Sequence, residues 1–363
     1  MKKVLTWGVM FLLVVMAVSG CKSVNPIGDG DDVPLPGELN IMTWIDYVPE
    51  DVMTAFEEET GVRVNRTYIS SNEEMLTQLR GHKNTFDVIV CSNATIAMMV
   101  EEGGLIQPLD KEQIPNYGNI SPAFMSQYYD PENLYTVPHA AYAMVLVYNK
   151  DAAVCPVEVT SYADLWNPAL EGKVVLLDDM RDTLSMVLAS MGESVNAADD
   201  ETLEAAKDRL LALRPNVVML DADRPHESLL SGSAVAGVMY GSQAVAAIQD
   251  GKEKNPPMDF AVVYPAEGLV AGVDCYVVAD GAPNAENAMA FLNYVLKGNV
   301  SARISEQIAY INCNQAATPF LSEAFLSDPV VNIPLDLIQA AQKQEDVGDA
   351  VLKYDDIWLE FKN

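Results

Sequence analysis

Short apolar runs of strand type alternate with amphipathic helical stretches along most of this chain, beginning at Leu39–Thr43. A helix near Glu50–Thr60, closed by Gly61, precedes a strand Val62–Ile69, a helix Glu73–Gly81, a strand Phe86–Val90 and a helix Thr95–Glu102. That βαβαβα order normally builds a parallel sheet with helices on both faces. An irregular stretch with Pro, Asn and Tyr fills Leu109–Asp130, after which the apolar run Tyr142–Tyr148 carries the chain into a second lobe. There the alternation resumes, with a helix from Ser161, a strand Val174–Leu177, and helices Arg181–Met191 and Glu201–Leu213. Strands Val217–Leu220 and Ala234–Met239, a helix Gln243–Gln249 and a strand Phe260–Val263 follow, with Gly192 and Gly251 read as helix stops. The run Val273–Ala279 and the helical stretch Ala285–Leu296 return the chain to the first lobe, and the C-terminal stretch reads as helices. No internal repeat suggests a solenoid or propeller.

The N-terminus departs from this pattern. Lys2 and Lys3 precede an apolar stretch from Val4 to Val18, which ends in Val18-Ser19-Gly20-Cys21. Residues 1–20 therefore read as a signal peptide, and a cysteine directly after Ser-Gly is the mark of a bacterial lipobox, in which Cys21 is lipidated and becomes the new N-terminus. The apolar run is shorter than the roughly 20 residues that a bilayer-spanning helix needs. Residues 21–38, with Pro, Gly, Asp and Ser and little apolar content, read as a flexible tether.

Half of the residues are hydrophobic, enough for substantial cores, and the chain beyond the tether is about twice the size of a typical single core. A formal net charge of −30 argues against a nucleic-acid partner and raises the local concentration of cations, although most of these carboxylates belong to a solvated surface. Beyond Cys21, Cys91, Cys155, Cys275 and Cys313 are too scattered for a disulfide scaffold and lack CxxC spacing. No HExxH, paired-His helix or DxDxDG loop is present, so neither a metal nor another cofactor is expected.

In open α/β sheets ligands gather outside the carboxyl ends of strands. The residues there are Trp44-Ile45-Asp46-Tyr47, Cys91-Ser92-Asn93, Asp178-Asp179-Met180-Arg181-Asp182, Tyr240-Gly241-Ser242 and Gly272-Val273-Asp274. Carboxylates mixed with aromatics suit an alkyl polyammonium ligand, because acids bond each ammonium while aromatic faces hold the methylenes and add cation–π attraction. Phosphate or sulfate would want glycine-rich turns and arginines, and Arg181 stands alone between acids. Each signal also has a plainer reading. Asp179 and Asp182 have the spacing of a helix cap with first-turn charge, Trp44, Tyr47 and Tyr240 suit core packing, and Ser92 suits a loop hydroxyl.

From about Leu39 to Lys362 the chain resembles the bacterial spermidine/putrescine-binding proteins, receptors of polyamine importers. The likeness rests on Thr43–Pro49, Phe56–Val62, Ser71–Glu73, Phe86–Val90, Tyr162–Trp166, Leu177–Asp182, Val273-Asp274 and Glu345–Gly348. It implies an α/β, two-lobed, periplasmic-binding-protein-like (type II) clamshell without catalysis, each lobe a mostly parallel sheet flanked by helices. Residues 39–141 plus 275–320 would form the first lobe, and 142–274 plus 321–363 the second with the C-terminal helices. It further implies a polyamine ligand, a membrane-embedded ABC permease as partner, and a place on the outer face of the bacterial cytoplasmic membrane or in the periplasm, held by lipid on Cys21. Carried over position by position, the ligand-binding residues are Trp44, Asp46, Tyr47, Ser92, Asp179, Asp182, Tyr240, Asp274 and Gln344.

Two positions depart from the family pattern. Ala94 stands where better-known members have a tyrosine, and Gly272 where they have a tryptophan, so aromatic wall is lost while the acids are kept. His139 and Tyr142, near the crossover, are candidates to replace that wall, with hinge packing as the alternative. In the family fold the third strand and the return strand are neighbours, which raises a Cys91–Cys275 disulfide as an option. The rival functions are binding of another small cationic solute, or glycoside hydrolysis by a carboxylate pair drawn from Asp179, Asp182 and Asp274.

Overall fold

The computed structural model describes residues 37–45 and 47–363. The expected signal peptide, Cys21, nearly all of the tether and Asp46 lie outside the described residues. The first strands follow the predicted alternation: β1 (Glu38–Thr43), β2 (Arg63–Tyr68), β3 (Val88–Ser92) and the two-residue β4 (Ile106–Gln107). Then come β5 (Val137–Asn149), β6 (Val174–Leu176), β7 (Val217–Leu220), β8 (Ala236–Tyr240), β9 (Phe260–Val263), β10 (Ala271–Ala279) and β11 (Ile311–Asn312).

They assemble in the order β2-β1-β3-β10-β5-β8-β6-β7, with β4 on β10 and both β9 and β11 on β5. Strands β2, β1 and β3 run parallel, as do β7, β6 and β8. The crossing strands β10 and β5 run antiparallel to each other and to their other partners. β5 joins the two groups, its early residues facing β10 and Met144–Tyr148 facing β8. It is almost wholly buried and nearly continuously apolar, as a strand covered on both faces must be. One core, with Phe56, Phe291 and Leu292, packs beside β1 and β3, and another, with Tyr162, Leu188 and Tyr354, beside β6 and β8.

Local chemistry explains most boundaries. The helix Glu50–Thr60 buries Val52, Met53 and Phe56 and stops at Gly61, whose positive φ lets its N–H turn back to the Glu57 carbonyl. The structure corrects two expectations. Ser161 begins only a single 3-10 turn, Tyr162–Trp166, because Pro168 directly follows Asn167 and cannot extend a helix. Gly251 does not stop its helix, which runs Gly241–Glu253; instead the Phe260 ring lies 2.9 Å from where a Cβ would sit. The C-terminal stretch is helical as expected, in Glu323–Ser327, Leu335–Ala340 and the longer Val351–Lys362. The helices Pro225–Ser231 and Gly298–Ile308 escaped the sequence reading.

Cys91 and Cys275 are direct cross-strand partners, yet both thiols are free and buried, as are Cys155 and Cys313. Among the described residues no helix is long and apolar enough to cross a membrane.

Candidate functional site

The carboxyl ends of β1, β3, β6 and β8 and the start of β10 bring most of the candidate side chains together. Asp274 sits on β10 directly opposite Ser92, the last residue of β3. Both its neighbours on the sheet are apolar or small, and its side chain is buried. Tyr47, which follows β1, donates its hydroxyl to Asp274 Oδ2 at 2.5 Å. Oδ1 is buried and no described donor meets it in hydrogen-bonding geometry, although the Ser92 hydroxyl directly opposite lies near enough to favour the charged carboxylate. Burial pushes the Asp274 carboxyl from 3.8 up to about 6, against the lowering effect of the Tyr47 and Ser92 hydroxyls.

Tyr47 is held by an aromatic frame. Its ring meets those of Trp44, His139 and Tyr310 edge-on at 5.3, 5.2 and 5.3 Å. His139 lies behind Tyr47, its Nε2 3.4 Å from the Tyr47 carbonyl oxygen, and burial drives its pKa down to about 4, so the ring is neutral. It packs the wall from the rear.

The second group of acids sits at the start of the helix Met180–Ser190. Asp179 is its N-cap and accepts from the Asp182 N–H at 2.9 Å, so the capping reading holds for that residue. Asp182, one turn on, is buried and points its carboxylate at two partners. Tyr240, at the end of β8, donates its hydroxyl to Oδ2, and Gln344 donates from Nε2 to Oδ1 at 2.8 Å. Burial raises both acids, and the charge of Asp179 raises Asp182 further, while Arg181 works weakly in the opposite sense.

Gln344 also ties the two ends of the site. Its carbonyl accepts from Asn93 Nδ2 at 2.6 Å and from the Tyr128 hydroxyl at 2.7 Å, while its amide holds Asp182 and Ser185. Ser92 itself takes part through Asn72, whose Nδ2 donates to its Oγ at 3.3 Å. Of the candidates that the structure describes, all converge here; Asp46 is not described.

Two residues join that sequence reasoning either missed or only guessed. Tyr310 packs against Tyr47, and burial together with Asp274 and Asp182 pushes its pKa up to about 12, against a lowering effect of Ser242. It precedes a two-residue strand, too short to leave a periodic signal. Tyr142 stands on β5 with its ring 5.7 Å from that of Tyr240, edge-on. Among the described residues no group of three or more His, Cys, Asp or Glu side chains could hold a metal ion.

Buried acids and tyrosines gathered at strand ends have the chemistry to meet a small cation, and known proteins share both sequence and fold with this chain. A family model described as bacterial extracellular solute-binding protein matches residues 51–332. The spermidine/putrescine-binding periplasmic protein of Escherichia coli (strain K12) is 33% identical over 325 residues, covering 89% of this chain and 91% of that protein. The putrescine-binding periplasmic protein PotF of the same organism is 29% identical over 312 residues, or 82% of this chain and 84% of its own length. Among solved structures, the spermidine/putrescine ABC transporter substrate-binding protein PotD from Streptococcus pneumoniae superposes with a TM-score of 0.77 at 28% identity, covering 90% of this chain and 99% of that one. The architecture is the two-lobed type II periplasmic-binding-protein fold, with parallel strands on either side of a crossing antiparallel pair. By sequence and fold together, this chain belongs to the family of bacterial extracellular solute-binding proteins.

Proposed function

We propose that this chain captures a polyamine of the putrescine/spermidine class between its two lobes and delivers it to an ABC importer without catalysing a reaction. The observation that carries the reading is Asp274: a buried carboxylate with one oxygen bonded to Tyr47 and the other accepting nothing from the described residues. Such an oxygen costs about 1–3 kcal/mol unless a donor meets it, and an ammonium group is the donor that matches its charge. Asp182 and Asp179 offer a second negative seat, with Tyr240 bonded to Asp182 and Tyr142 edge-on to Tyr240. Asp46 would add a further acid beside Trp44 and Tyr47. The names of the relatives agree with this chemistry.

In this reading residues 39–141 plus 275–320 and residues 142–274 plus 321–363 move as two bodies, with Asp274 at their boundary opposite Ser92 of the first, and a ligand whose ammonium groups reach from Asp46 and Asp274 to Asp182 favours the closed form. Lipid on Cys21 would hold the receptor at the outer face of the cytoplasmic membrane, within reach of its permease. The hydrolase alternative is weaker because Asp182 has both oxygens occupied and Asp179 caps a helix.

Isothermal titration of the body after Cys21, freed of co-purified ligand, with putrescine, cadaverine, spermidine and spermine tests the proposal. Binding of one of them at about micromolar affinity or tighter is expected, as befits a receptor with two charged seats. Silence across all four would transfer the acids to another cation.

A further inference from the structure

Position 272 is the place where the family likeness loses an aromatic side chain, and the sheet register puts Tyr142 directly across from it. Gly272 and Tyr142 are Cα partners in the antiparallel β10–β5 ladder. Directly opposed residues leave a sheet on the same face, so the two positions compete for one volume. A Cβ built on Gly272 would lie 2.4 Å from both Cζ and the hydroxyl oxygen of Tyr142, and 2.7 Å from Asn93 Oδ1. The tip of the Tyr142 ring therefore lies over the Gly272 backbone, where a side chain at 272 would stand. Gly272 is not among the glycines with positive φ, so its backbone makes no demand for glycine and the requirement is one of space.

The surroundings of that ring matter as much as its place. Asp274 follows Gly272 by two residues on β10 and so projects from the same face. On the other side the ring meets Tyr240, whose hydroxyl holds Asp182. Tyr142 feels the charges of Asp274, Asp182 and Asp179, and it is half-buried. It is thus the aromatic surface lying between the two acidic seats.

We propose that Tyr142 is a specificity-determining residue, the wall against which the methylene segment of a di- or polyammonium ligand lies between Asp274 and Asp182, and that Gly272 is small to admit its ring. This rests on the polyamine reading above. A monoamine can engage one acid without crossing Tyr142, whereas a diamine with an ammonium at each seat must lie along it.

The test is a double-mutant cycle by isothermal titration, using the polyamine that wild type binds most tightly and n-butylamine as the single-ammonium probe. Tyr142→Ala should weaken the polyamine about tenfold or more and n-butylamine by less than about threefold, while Tyr142→Phe stays within about threefold for both. Gly272→Trp alone should lose about tenfold or more, and Tyr142→Gly combined with Gly272→Trp should return to within about threefold of wild type. If Tyr142→Ala does not fold, the pair formed by Gly272→Trp and the swapped double variant decides the question. Wild-type binding that survives Tyr142→Ala unchanged, or a swap that fails to rescue Gly272→Trp, overturns the role of Tyr142 and leaves the polyamine reading intact. A wild type that binds none of the four polyamines overturns both.

Discussion

Asp274 on β10 and Asp182 at the start of the helix that follows β6 are both buried aspartates, yet they are held differently. Asp182 has both oxygens engaged, by Tyr240 and Gln344, and shares its helix start with Asp179. Asp274 is gripped on one oxygen by Tyr47, and the other accepts nothing from the described residues. Burial raises both carboxyls, but only at Asp274 is a buried acceptor left over. The difference separates orientation from demand. Asp182 is a carboxylate fixed in place by neutral donors, while Asp274 keeps a buried oxygen that an incoming donor would satisfy.

The largest loss of binding is expected at Asp274. Asp274→Ala should cost at least ~2 kcal/mol of polyamine binding, a loss of about thirtyfold, since an ammonium held in the cleft would lose its charged partner. Titration calorimetry that finds the variant within about threefold of wild type would remove Asp274 from the site.

pH should separate folding from binding. The Asp274 carboxyl lies at about 6 in the folded protein against 3.8 ordinarily, so its contribution to stability is complete below 3.8 and is lost as pH rises through about 6. Ligand-free protein should therefore melt at lower temperature as pH climbs through that window. Polyamine affinity should move the opposite way, rising about tenfold as the acids ionise while the ligand stays protonated. Affinity that is flat from pH 5 to pH 7.5 would contradict the role of these carboxylates in binding.

Smaller effects sharpen the contrast. Asp182→Asn should weaken binding about fivefold, less than the loss at Asp274, because Asp179 remains to supply negative charge at the helix start. An Asp182 loss equal to that of Asp274 would show that the two seats share the load evenly. Gln344→Ala should cost only about threefold, since it frees one Asp182 oxygen without removing a charge. Both are measured by the same titration.

Much of this was legible in the chain before any coordinates. The alternation of strand-type runs and helices, the Gly61 stop, and the acids after β6 and on β10 follow from local pattern alone. What escaped depends on contacts between distant segments. The helix Gly298–Ile308 is the exception, since Val300, Ile304 and Ile308 recur at four-residue spacing and pack into one core, a stripe that local pattern does encode. Gly251 looks like a stop until Phe260 is seen against it, and Tyr310 gains its place only when it meets Tyr47. The pairing of Gly272 with Tyr142 is likewise a matter of register, which no local pattern encodes. Likewise, Cys91 and Cys275 are adjacent in the ladder, and adjacency alone did not make a disulfide.

The central claim is that a ligand ammonium completes Asp274. A crystal structure of the polyamine-bound protein tests it most directly. The account predicts a ligand nitrogen about 2.7–2.9 Å from Asp274 Oδ1, with a second nitrogen near Asp182 and Asp179. A ligand bound elsewhere, or one in the cleft that leaves Asp274 Oδ1 without a donor, would contradict it.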